Sequence, residues 1–217
     1  MYDLNRKIIF THPPKCAGTT IEDVFSWRPT PDQATSEELA YYRKHRHSSL
    51  ESHINSVREL GIDCSKFFKF SCVRNPWDRA VSFFYHDKNA ESFRFRKANP
   101  GKNLPPLLKI AETGTFEDYL NFRYQEYKND CNFLEINNFV HCQKNYVLDY
   151  VVRFESLHEN LNFLKNKYAI NAGTPHYNQN SKRPTDINYK DYYVNDKMID
   201  MVKEMSKTTI ELFDYSF

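Results

Sequence analysis

Glycine is scarce in this chain: 5 of 217 residues, where average usage would give about 15. Each glycine is therefore expected where the backbone requires one. Long apolar runs are missing as well. No stretch reaches the 18 or so residues of a transmembrane helix, and the Ile8 to Phe10 run is too short for a signal peptide. The five cysteines (16, 64, 72, 131, 142) are odd in number and contain no CxxC pair. That argues against a disulfide framework or a zinc site, and a reducing, cytoplasmic location is the expectation. An excess of one charge is also lacking. Thirty basic against 28 acidic residues gives a net charge of +2, unlike a dedicated nucleic-acid binder. Any anion site must be local.

Apolar material is plentiful. Hydrophobic residues make up 40% of the chain and aromatics 16%, enough to offset the entropy of ordering a single large core. One domain spanning residues 1–217 is expected. Lys7-Ile8-Ile9-Phe10 reads as a short buried strand, and Ile21, Val24 and Phe25 beyond Gly18 have helical spacing. A polar segment follows from Arg28 through Lys44, and Ser48 or Ser49 caps a helix carrying Leu50, Ile54 and Val57. Phe67 to Val73 is a continuous β-rich run of the kind a buried parallel strand shows. Pro76 suits the first turn of a second helix through Trp77, Val81 and Phe84.

The chain from Asn89 to Pro106 reads as an exposed connection, and Thr115 to Asp118 as a capped helix start. Tyr146-Val147-Leu148 and Tyr150-Val151-Val152 read as strands, with a helix from Ser156 through Leu161 and Leu164. A final helix carries Val194, Met198, Met201, Val202, Met205 and Leu212 as its apolar stripe. Strands alternating with helices predict an α/β fold, a three-layer domain with a central, mainly parallel sheet flanked by helices. Ligands bind such sheets at the carboxyl ends of the strands.

Two loops fall there. In Lys15-Cys16-Ala17-Gly18-Thr19-Thr20, small residues let the backbone close around an anion; Lys15 adds a point charge, and the threonines add hydroxyl donors. The order is not that of a Walker A loop, because Lys15 precedes the glycine. A plain turn with a solvent-facing lysine is the competing reading. In the second loop, Arg74 ends a strand where its planar fork can grip a phosphate, and Ser82 offers a hydroxyl two turns into the helix. Arg79 reads as an exposed helix charge or a partner of Asp78, and Trp77 as core. Two anion sites suggest a ligand with phosphate-like groups at both ends of a nucleoside.

The pair HPPKCAGTT and FKFSCVRNPWDRAVSFFY resembles the two signature loops of sulfotransferases that use 3′-phosphoadenosine 5′-phosphosulfate (PAPS), in particular the carbohydrate-type family. VVRFESLHENLNFL, HYNQNSKRP and the C-terminal IELFDYSF match that family's pattern too, so the resemblance covers nearly the whole chain. Pro13 stands where isoleucine is usual, and Cys16 where threonine is common. The resemblance implies a P-loop-like fold and sulfuryl transfer from PAPS to an acceptor hydroxyl of a carbohydrate or glycan, with PAP as product and no metal. Lys15, Cys16, Ala17, Gly18, Thr19 and Thr20 would hold the 5′-phosphosulfate, Lys15 lying on the bridging oxygen, and Gly18 letting the backbone approach. Arg74 and Ser82 would hold the 3′-phosphate, and Ser181, Lys182 and Arg183 belong to a late loop over the nucleotide.

In similar sequences a histidine before small polar residues is the catalytic base, which points to His47 in His47-Ser48-Ser49-Leu50. Neighbouring Lys44 and Arg46 should depress its pKa and keep it able to accept a proton. His45 is the competitor, His53 should face away, and His12 reads as a support residue. The alternatives are a P-loop-type nucleotide kinase or NTPase and a non-enzymatic polyanion binder. Lys88, Arg94, Arg96, Lys97 and Lys102 form either a groove for an acidic glycan or a solvated loop. No nucleic-acid partner and no membrane span are expected.

Overall fold

Ile8, Ile9 and Phe10, three consecutive and fully buried residues, determine how the N-terminal part of the chain is layered. In the computed structural model, which describes residues 1–30, 32–143, 145–173, 183–184 and 186–217, the chain forms two compact units. One comprises Met1–Arg74 and Ile136–Tyr177, the other Asn75–Glu135 and Asn178–Phe217. The first unit runs through β1 (Tyr2–Asp3), β2 (Ile8–Thr11), α1 (Gly18–Val24), α2 (Ser36–His45), α3 (Leu50–Glu59) and β3 (Phe68–Val73). The chain then builds α4 (Pro76–His86), α5 (Ser92–Ala98), α6 (Pro106–Thr113) and α7 (Phe116–Lys128) of the second unit. It returns through α8 (Asn137–Val140), β4 (His141–Cys142), β5 (Asn145–Tyr146), β6 (Tyr150–Arg153) and α9 (Leu157–Lys167), and ends with α10 (Asp196–Met205) and α11 (Lys207–Phe213).

The main sheet has the order β1-β2-β3-β6. β2 pairs β3 in parallel, Ile8 opposite Phe68 and Thr11 opposite Ser71, and β3 pairs β6 in parallel from Phe70–Tyr150 to Val73–Arg153. Only β1, on the edge, is antiparallel. Side chains alternate across a strand, so Ile8 and Phe10 join Phe70, Cys72 and Val152 beneath α1 and α9, against Ile21, Val24, Leu161 and Leu164. Ile9 points the other way, into Leu50, Ile54 and Val57 of α3. Helices thus cover both faces, the three layers expected of a buried parallel sheet. The second unit has its own core of Trp77, Val81, Phe84, Tyr119, Leu120, Met198, Val202 and Met205.

Local chemistry sets the helix boundaries. The Asn75 side chain accepts from the N–H groups of Trp77 and Asp78, with Pro76 in the first turn. Thr115 and Asp118 form a capping box at α7, and Ser49 caps α3.

Four expectations are corrected. The polar segment contains α2, which buries no residue and is held by a Thr35–Glu38 capping box, with acidic residues in its first turn and basic ones in its last. The supposed connection after Asn89 is a π-helix, Asp87–Glu91, leading into α5. The last helix is two, broken at Ser206, with Val194 and Leu212 exposed. Of Tyr146-Val147-Leu148, only Tyr146 is in a strand. Among the described residues no helix is long and apolar enough to cross a membrane.

Candidate active site

The loop between β2 and α1 is strained where the sequence places an anion cradle. Lys15 and Ala17 both adopt left-handed backbone, φ 66° and 65°, a conformation that costs an ordinary residue roughly 1–2 kcal/mol. Such turns direct successive N–H groups into a concavity suited to anions. Ala17 is the N-cap of α1 and makes no side-chain cap bond; its carbonyl accepts from the N–H groups of Thr20 and Ile21.

Gly18 is required by its packing against His12. A Cβ there would lie 2.0 Å from Cδ2 and 2.3 Å from Nε2 of His12, so the imidazole occupies the space a side chain would need. Cys16 turns its side chain inward. Its side chain is buried in the core with Ile8, Phe10 and Ile21, and Sγ faces the Pro14 carbonyl at 3.6 Å. Only its backbone is available to the cradle. Thr20 is buried, and the hydroxyl of half-buried Thr19 accepts from Arg46 Nη2 at 2.9 Å.

A buried polar network joins this loop to the end of α2. Glu22, fully buried on α1, accepts from His12 Nδ1–H at 2.7 Å, from Arg46 Nη2 at 3.2 Å and from the Tyr42 hydroxyl. Burial pushes the Glu22 carboxyl upward, but the bond from His12 and the nearby cations outweigh it and hold it below its ordinary value. His12 is lowered, chiefly by burial. Glu22 and Tyr42 were not singled out from the sequence, and Arg46 was read there only as a charge beside His47. The signal was a carboxylate at position 22, flanked by the core residues Ile21, Val24 and Phe25.

His47 belongs to the same cluster. Its Nδ1 lies 2.7 Å from the His12 carbonyl, which can only accept, so Nδ1 carries the proton and Nε2 the lone pair. The two rings meet edge-on with centroids 4.5 Å apart. Partial burial, then His12 and Arg46, lowers the His47 pKa to about 4. Arg46 thus acts in the expected direction, but burial is the larger cause. His45 packs against exposed Tyr41, centroids 4.3 Å apart. His53 is buried with Nε2 2.6 Å from the Met1 nitrogen.

Arg74 bends back to the same loop, donating from Nη1 to the Lys15 carbonyl at 3.3 Å while its guanidinium stacks 4.0 Å from the centre of the Phe154 ring. Lys15, Thr19, His12, His47 and Arg74 therefore all belong to the first unit. Ser82 is buried on α4, in the second. Arg79 is not exposed. It is buried with Nη1 on the Leu134 carbonyl at 3.1 Å, because α4 turns this face into the second core. Asp78 pairs with Arg183. Ser181 and Lys182 lie outside the described residues. Among the described residues no group of three His, Cys, Asp or Glu could hold a metal ion.

The family model described as "Sulfotransferase family" matches residues 1–216. The chain belongs to the sulfotransferase family. This agrees with the enzyme class expected from the two loops, and it sets the kinase and polyanion-binder alternatives aside. Among solved structures, a crystal structure of mouse sulfotransferase SULT7A1 complexed with PAP is similar, at 15% identity and a TM-score of 0.49, over 98% of this chain and 87% of that one. No curated protein matches this sulfotransferase.

Proposed function

We propose that residues 1–217 act as one sulfotransferase domain that moves the sulfuryl group of PAPS to a hydroxyl of a carbohydrate acceptor, with His47 as the general base. The observation that carries the base assignment is the bond from His47 Nδ1–H to the His12 carbonyl, which fixes the tautomer and leaves Nε2 as a proton acceptor. His45, turned onto Tyr41, has no comparable arrangement. The left-handed Lys15 and Ala17 support the cradle, since backbone strain of this kind persists where function requires it.

In the reaction, the acceptor O–H gives its proton to His47 Nε2 and its oxygen forms a bond to sulfur. The bond from sulfur to the bridging oxygen breaks, and its electron pair stays on the 5′-phosphate of the PAP that leaves. Lys15 offsets the charge gathering there, and positioning with electrostatic stabilisation supplies most of the acceleration. Arg74 and Ser82 hold the 3′-phosphate in this reading, with Ser181 and Lys182 as further contacts. An odd number of cysteines without a CxxC pair suits a reducing, cytoplasmic compartment.

Incubating the protein with radiolabelled PAPS and a panel of hydroxyl-bearing glycans tests the reading. Label should pass to a carbohydrate, and His47→Ala should lose turnover while still binding PAP. Transfer at the unaltered rate by His47→Ala removes the base assignment, and transfer only to non-carbohydrate alcohols removes the acceptor class.

A further inference from the structure

We propose that Arg46 is a positioning residue that commits the Thr19 hydroxyl to donating its single proton to the anionic end of the sulfuryl donor. The inference rests on the reading of Lys15 to Thr20 as the phosphosulfate cradle. Arginine has donors and no acceptor, so the 2.9 Å contact makes Thr19 Oγ1 the acceptor. A threonine hydroxyl has one hydrogen and two lone pairs. With one lone pair held by a cation, the hydrogen is polarised and remains for a further partner.

The surroundings hold Arg46 to this task. Its Nη2 also donates to Glu22 at 3.2 Å, and the contact to His12 Nδ1, at 3.5 Å, cannot be a second acceptor because that nitrogen gives its proton to Glu22. The two protons of Nη2 are thus assigned, one to Thr19 and one to Glu22. Glu22 is fully buried, and the cost of its charge is offset by the His12, Tyr42 and Arg46 donors together. Arg46 is the C-cap of α2, and the next residue is His47. The donor loop and the segment bearing the base are therefore joined through one guanidinium.

The test is a double-mutant cycle on PAP binding, read by calorimetry, with adenosine 3′-monophosphate as a ligand lacking the 5′ group. Arg46→Met and Thr19→Val should each weaken PAP about tenfold. The double variant should be no weaker than Thr19→Val alone, Thr19→Ser should stay within about twofold of the unaltered protein, and adenosine 3′-monophosphate affinity should not change. Should Arg46→Met fail to fold because Glu22 is left unpaired, Glu22→Gln/Arg46→Met removes both charges together and should show the same loss for PAP. Undiminished PAP affinity in either Arg46 variant, losses that multiply to about a hundredfold, or equal losses for both ligands overturn the proposal. If the unaltered protein binds PAP no better than adenosine 3′-monophosphate, the cradle reading itself fails, a result distinct from all of these.

Discussion

Glu22 in the first unit and Asp87 in the second are both carboxylates taken out of water, and each faces a tyrosine, an arginine and a histidine. Glu22 accepts from Tyr42, Arg46 and His12; Asp87 accepts from Tyr119 at 2.7 Å and Arg123 at 2.8 Å, with His86 Nδ1 at 3.5 Å. Burial pushes both carboxyls up, and in both the surrounding donors prevail and hold them below the ordinary range. The difference lies in where the partners lead. Arg46 goes on to Thr19 in the donor loop, whereas Arg123 turns back, to Tyr119 at 3.1 Å and Glu126 at 3.0 Å within α7. One set of groups reaches the loop proposed to hold the donor; the other fastens the first residue of a π-helix to its neighbour. A buried carboxylate with good partners is by itself weak evidence for function.

The largest expected effect belongs to the first cluster. His47→Ala should lower kcat by roughly a thousandfold, the middle of the range for general-base catalysis, with PAP affinity within about threefold. A loss shared equally between kcat and PAP binding would mean that His47 holds the nucleotide. Asp87→Ala should do the reverse. Removing the buried carboxylate that Arg123 and Tyr119 share costs about 3–5 kcal/mol of stability, read from denaturant unfolding, while folded protein binds PAP as before. An Asp87→Ala protein of unaltered midpoint but lost PAP binding would erase the distinction between the two clusters.

Gly18→Ala comes next. The added Cβ must displace the His12 ring, an overpacking that costs about 1–3 kcal/mol. Because that ring donates to Glu22 and its carbonyl orients His47, stability and kcat should fall together. A Gly18→Ala variant that loses stability alone would show that His12 can move without disturbing the base.

Acid should act on both clusters with one sign. Glu22 and Asp87, held low when folded, take up protons in the unfolded chain at a pH where the folded protein does not, so their stabilisation is lost as pH falls. His12 and His47 are also held low when folded and protonate more readily in the unfolded chain, so they too favour unfolding below the ordinary imidazole range. For activity, neutral His47 places the acid limb of kcat/KM below that range, toward about 4. A limb centred at or above the usual histidine value, with the protein still folded, would remove His47 as the base.

The parts of the fold that were legible share a local cause. β2 and β3 are unbroken apolar runs, and Asn75-Pro76 and Thr115-x-x-Asp118 mark helix starts by side chains that accept their own backbone N–H groups. α2 escaped notice because it buries nothing, leaving no apolar stripe to read. In the site, Lys15, Thr19 and His47 could be named from motifs, but Glu22 could not be paired with Arg46, 24 positions away, until the fold closed that gap. The exposed reading of Arg79 failed for the same reason, since its partner Leu134 is distant in sequence.

The smallest expected effect concerns the departure from the family pattern at position 16. Restoring the usual hydroxyl with Cys16→Thr would add a nucleotide contact if that side chain faced the cradle. It lies instead among Ile8, Phe10 and Ile21, 1% exposed, where the Pro14 carbonyl is the acceptor at hand. PAP affinity should therefore stay within about twofold, and a neutral hydrogen bond to Pro14 should limit any change in stability to about 1 kcal/mol. Thr19→Val, in the same loop and facing Arg46, should weaken PAP about tenfold. Tighter binding by Cys16→Thr would turn residue 16 outward and remove the difference between these two positions, leaving the cradle to be read from its motif alone.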